Sequence, residues 1–188
     1  MAWLNGNVPG FAKLRPEDRE AIAHFTLLWS LFESTCLNEN ASSATIHRLV
    51  WSWAEDHRLD EASFAEALAY FRRRYFENGT PTRHFRFLRL RPNDMPDLVE
   101  KVLRGDDNDP ANCVTAVLIV VYRLRNNLFH GLKWAYGLRG QLGNFKQANK
   151  TLMNAMRIAE QRRELVVSSL AVEFGREIAK LFIKKHQS

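Results

Sequence analysis

Residues 109–131 constrain the fold more than any other stretch of the chain. Asp109 and Pro110 are suited to be the cap and first residue of a helix. A strongly apolar run follows, Val114–Val121, and then Y-R-L-R-N-N-L-F-H-G, Tyr122 to Gly131. The run is too short to span a bilayer. An apolar anchor that delivers an arginine, two asparagines and a histidine to a chain break is how a helix presents a site. The rest of the chain reads as scaffold for this segment.

The flanking patterns are also helical. Pro16, with Glu17, Asp18 and Glu20 behind it, opens a helix to about Leu37, striped by Ile22, Phe25, Leu28, Trp29 and Phe32. Ser43 is placed to cap a second, carrying Ile46, Leu49, Val50 and Trp53, and Asp60 a third, carrying Phe64, Leu68, Phe71 and Tyr75 up to Gly79. Thr80–Pro92 alternates basic and apolar residues. With no partner strand evident, it reads as an extended or short helical insertion. Met95–Arg104 is a short helix, capped by Asn93 or Asp94 and stopped by Gly105. Gly131–Gly143 is too rich in glycine for one regular element. Asn144 to about Lys185 is helical, with a bend expected near Glu160–Arg163 or Gly175. The expected architecture is all-α, a bundle of five to six helices: an N-terminal arm (1–14) that Trp3, Leu4 and Phe11 can pin to the body, and one domain (15–188) with a variable insertion at 78–108.

At 188 residues the chain suffices for one domain with a substantial core. Its net charge of +6 favours an anionic partner such as nucleic acid. Cys36 and Cys113 lie in apolar helical surroundings and read as reduced, buried thiols. The N-terminus lacks a charged segment followed by an apolar one, so a cytoplasmic location is expected. No zinc spacing, H-E-x-x-H pair, P-loop or dinucleotide fingerprint is present, and no cofactor is expected.

Arg125 and His130 are five positions apart, a turn of about 140° around a straight helix, so they do not share a face, whereas Asn126 and His130 do. Convergence of the first pair requires the arginine to reach round or the helix to distort near Phe129–Gly131, which the glycine permits. Two readings are open. Histidine can shuttle a proton, arginine can match a phosphate, and asparagine can orient either. That set suits metal-free cleavage of RNA, whose own 2′-OH is the nucleophile. Alternatively, Arg123, Arg125 and His130 cap carbonyls at the helix C-terminus and complement its dipole.

R-N-N-L-F-H-G, Arg125 to Gly131, resembles the R-x4-6-H signature of the HEPN superfamily. Asn126 after the arginine, the H-G step and the position at the end of a late helix fit the same pattern. Glu17–Glu33 loosely resembles bacterial HEPN-like proteins. The resemblance implies an all-α, commonly dimeric fold and a metal-independent endoribonuclease, acting as a toxin or phage-defence effector, with an antitoxin or regulatory protein as a possible partner. It implies that Arg125, His130 and Asn126 are catalytic, in a cleft composed by two subunits. Toxins modified by a partner nucleotidyltransferase carry a tyrosine two residues after the histidine. Here that position is Leu132, which argues against such regulation.

Secondary candidates for contacting RNA are Asn127, Lys133, Arg83 and Arg86, with Arg139 beside them. Arg72, Arg73, Arg74, Arg83, Arg86, Arg89 and Arg91 share one window with Tyr75, Phe76, Phe85 and Phe87. Such a mixture can hold single-stranded RNA, or its aromatics can face the core while its arginines face water. Trp29, Trp51, Trp53 and Phe32 have helical spacing and read as core or dimer contacts. His24, His47, His57 and His84 are scattered and suggest no site.

Overall fold

The computed structural model describes residues 2–8, 10–129, 138 and 140–161. In chain order its helices are α1 (Ala2–Asn7), α2 (Pro16–Cys36), α3 (Ser43–Glu55), α4 (Ala65–Tyr75), α5 (Arg83–Arg86), α6 (Pro96–Arg104), α7 (Pro110–Phe129) and α8, helical over the described residues 142–161. The sheet among the described residues is one antiparallel ribbon, β1 (Phe76–Glu77) with β2 (Thr80–Pro81). The chain is of the all-α class.

The apolar run becomes the core helix. Asp109 Oδ1 accepts from the Asn112 amide at 2.9 Å, capping α7, with Pro110 as its first residue. Every residue from Val114 to Val121 is buried, so this helix has no solvent face over two turns. It packs against α3, α4 and α6, and at Tyr122 against Trp29 of α2. Each fully buried valine, leucine or isoleucine contributes about 1.5–3 kcal/mol relative to exposure. The buried stripes of α2 (Ile22, Phe25, Trp29, Phe32) and α3 (Ile46, Val50, Trp53) complete the packing. Val99, Val102 and Leu103 of α6 are buried as well, so residues 78–108, read as an insertion, contribute to the core.

Helix α8 braces the bundle across two elements. Phe145 meets Phe25 with ring centroids 5.2 Å apart, and Asn149 Nδ2 donates to the Ala21 carbonyl of α2. Farther along, Asn154 Nδ2 donates to the Ser63 carbonyl, and Arg58 Nη1 to that of Ile158. Residues 1–14, read as an arm, include α1 and a 3₁₀ turn at Phe11–Lys13. Phe11 and Leu14 are buried, and Arg19 lies over the Phe11 ring.

Several boundaries differ from expectation, each for a local reason. Ser42, not Ser43, caps α3: its Oγ accepts from the Thr45 amide while Thr45 Oγ1 accepts from the Ser42 amide. Ser43 is buried and donates to Asp94 Oδ1 at 3.0 Å. Asp94 therefore does not cap α6, whose N-cap is Met95 in a left-handed conformation, φ 52°. Asp60 caps a 3₁₀ turn, Glu61–Phe64, from which α4 follows. Helix α4 stops at Tyr75 rather than Gly79. Asn78 and Gly79, with φ 49° and 73°, are the two-residue turn of the ribbon, a combination suited to a tight hairpin. Thr80–Pro92 thus has a strand partner immediately before it. Cys113 is buried and Cys36 half-buried, and they form no disulfide with each other.

Most of the expected 131–143 loop and the expected helix beyond residue 161 lie outside the described residues.

Candidate functional site

The last turns of α7 carry polar side chains on two faces. Positions 123 and 127 are one turn apart and point at the segment after α5, where Leu88 and Arg89 leave the helical pattern, Arg89 with φ 52°. Arg123 is 3% exposed. Its Nε donates to the Leu88 carbonyl at 3.1 Å and its Nη2 to that of Arg89 at 2.7 Å. Its Nη1 lies 3.1 Å from Asp94 Oδ2. Asn127 Nδ2 donates to the carbonyls of Phe87 and Leu88. Burial pulls the Arg123 pKa down, and the Asp94 carboxylate opposes that pull. Arg123, open to the reading of a C-terminal cap, binds the carbonyls of a different segment. Asn127, a secondary RNA candidate, is buried with its amide nitrogen committed to backbone.

Arg125 occupies the other face, turned toward α2. Its side chain is 30% exposed, with Nη2 3.5 Å from Glu33 Oε2. That oxygen already accepts a 2.7 Å bond from Trp29 Nε1. The guanidinium carbon lies 5.7 Å from the Trp29 ring centroid and 5.2 Å from that of Phe129. Asn126, 5% exposed, accepts from Arg125 Nη1 through Oδ1 at 3.0 Å. Arg125 Nε is buried without a hydrogen-bond partner among the described residues. The guanidinium is therefore oriented by two rings and an amide. Its contact with the carboxylate is long, at the weak end of hydrogen bonding. One N–H on each of Nη1 and Nη2 remains for an incoming oxyanion, in the planar guanidinium that matches phosphate.

Arg125 and Asn126 are thus brought together. His130, Lys133 and Arg139 lie outside the described residues. Arg83 and Arg86 are exposed on α5, beside Phe87, which is 56% exposed.

The arginine-rich window divides. Tyr75 and Phe76 are buried, and Phe85 packs against both. Arg72 holds backbone, donating to the Val102 and Asp107 carbonyls. Arg74 Nη2 donates to the Gly140 carbonyl at 3.1 Å. Arg73, Arg83, Arg86, Arg89 and Arg91 face solvent. Trp29, Phe32 and Trp53 are core, whereas Trp51 is 39% exposed.

A grouping that the sequence reading missed lies at the ribbon. His84, set aside there as scattered, sits with Tyr70, Arg73 and Arg74 around an open cleft. Burial pushes its pKa down first, and the Arg74 and Arg83 charges push it further. The available signal was Asn78-Gly79, which folds residues 82–84 back onto the end of α4.

No helix among the described residues is long and apolar enough to cross a membrane. No family model, curated protein or solved structure matches the chain.

Proposed function

We propose that the chain is a HEPN-like, metal-independent endoribonuclease acting as a homodimer, with a toxin or antiviral defence role by analogy with the family it resembles. The observation that supports this best is Arg125: oriented by Asn126, Trp29 and Phe129, yet part-exposed, with donors to spare. In the proposed reaction the substrate's 2′-oxygen attacks the adjacent phosphorus, and the bond from phosphorus to the 5′-oxygen breaks. His130 of one subunit takes the 2′-OH proton, and a proton returns to the leaving 5′-oxygen. The products carry a 2′,3′-cyclic phosphate and a 5′-OH. Arg125 stabilises the charge that develops on the phosphoryl oxygens, a role worth about 10²–10³ in rate for one well-placed donor. The second subunit is part of the proposal because a five-residue step would set Arg125 and His130 on different sides of one straight helix.

The test is incubation of the purified protein with RNA in chelator, beside Arg125→Ala and His130→Ala. Cleavage by the wild type that both variants lose supports the assignment; equal residual cleavage by all three removes it.

A second reading, a non-catalytic helical module for RNA or protein, is favoured by the Glu33 contact and the ring packing around Arg125, which also suit a purely structural arginine. Under it, Arg125→Ala lowers stability and changes no activity.

A further inference from the structure

The ribbon assembles a second basic site. Tyr70, Arg73 and Arg74 come from α4, Glu77 from β1, Thr82 and His84 from the chain returning through β2, and together they line an open cleft of about 440 Å³. That volume is in the range of small-ligand sites. The return is fixed at two points. The Thr82 amide donates to the Tyr75 carbonyl at 2.8 Å, and Thr82 Oγ1 donates to the Arg74 carbonyl, also at 2.8 Å. The same hydroxyl accepts from the His84 amide and so starts α5. His84 is held beside Arg74 as a result.

The donors outnumber the acceptors. Arg73 faces solvent, and Arg74, with one nitrogen on the Gly140 carbonyl, also meets the hydroxyls of Tyr70 and Tyr75. Burial pushes the Tyr70 phenol up, so it remains a neutral donor near pH 7. Gly143, in the first turn of α8, abuts the Tyr70 hydroxyl so closely that a Cβ there would overlap it. The cleft thus adjoins the positive end of a helix dipole. Among the described residues, the one acid lining it is Glu77.

We propose that this cleft binds a phosphate group, Arg73 and Arg74 meeting its oxygens as charged forks and Tyr70 and His84 as further donors. The site does not rest on the ribonuclease reading: a phosphate of an RNA strand and a free phosphate share the chemistry it recognises. A bound phosphate offsets the positive field of Arg74 and Arg83 at His84, so the imidazole takes up a proton at a higher pH than in the free protein. Glu77 opposes binding and Tyr70 stays neutral.

The experiment is a titration of the full chain with inorganic phosphate, at constant ionic strength against chloride, following the His84 ring by NMR. The expected result is a saturable shift of the His84 signals and a raised titration midpoint. Arg73→Gln, at an exposed position outside the core, weakens binding about tenfold, the scale of one charge-assisted contact. Glu77→Gln tightens it. A single-stranded oligoribonucleotide that reproduces the His84 shift identifies a strand as the source. Phosphate binding without an oligonucleotide effect identifies a free phosphate compound. A His84 response no larger than that to chloride, or unchanged affinity in Arg73→Gln, overturns the proposal.

Discussion

Arg123 and Arg125 sit two residues apart on one helix and do opposite things. Arg123 is sealed, with an acid and two carbonyls of another segment consuming its guanidinium. Arg125 is steered rather than consumed, by rings, an amide and one distant carboxylate. A buried arginine must be paired, because desolvating its charge is costly. A part-exposed one can leave donors open, because water serves them until a ligand arrives. The contrast separates the strut from the candidate site within one turn of α7.

The strut should give the largest effect. Arg123→Ala leaves Asp94 buried, still bonded to Ser43 and the Arg91 amide but without its counter-charge. The expected loss is about 3–5 kcal/mol in chemical denaturation. A loss below about 1 kcal/mol would mean that the segment around Leu88 relaxes freely, and the sealed face would lose its meaning. Asn127→Ala comes next, at about 1–2 kcal/mol, since it leaves the Phe87 carbonyl without its side-chain donor.

These two residues also show what the sequence made legible. The helix, its cap at Asp109 and its apolar run were readable because periodicity and capping are local. The sorting of Arg123 from Arg125 was not, because it depends on where residues 87–94 pass, some thirty positions earlier in the chain. Asp94 looked like a helix cap for the same reason. Its partners, Ser43 and Arg123, are far from it in sequence. The ribbon is a different case. Asn78-Gly79 is a strong local turn signal, and reading the glycine as a helix end concealed both the hairpin and the cleft at His84.

Arg125→Ala sharpens the comparison from the open side. Its contact with Glu33 is long and part-exposed, so the expected stability loss is under about 1 kcal/mol, measured in the same denaturation series. Equal losses for Arg123→Ala and Arg125→Ala would erase the distinction between strut and site. A small loss with abolished RNA cleavage would locate the function on the open face.

The same contrast of closed and open arginines recurs at the ribbon, between Arg72 and Arg73, and there His84 gives the smallest and most specific signal. Its pKa in the folded chain lies below the ordinary value near 6.5, through burial first and then Arg74 and Arg83. The unfolded chain therefore binds more protons than the folded one between the folded pKa and about 6.5. Stability rises with pH across that window, so the His84 contribution is retained above it and lost as pH falls through the folded pKa. His84→Gln removes the proton-binding group and with it this part of the slope. Comparing denaturation midpoints of the two chains from about pH 8 to about pH 5 should show the wild type losing more toward acid. Parallel curves would mean that His84 titrates as it does in water. The ribbon would then hold the imidazole on the open side, with Arg73, rather than beside Arg74.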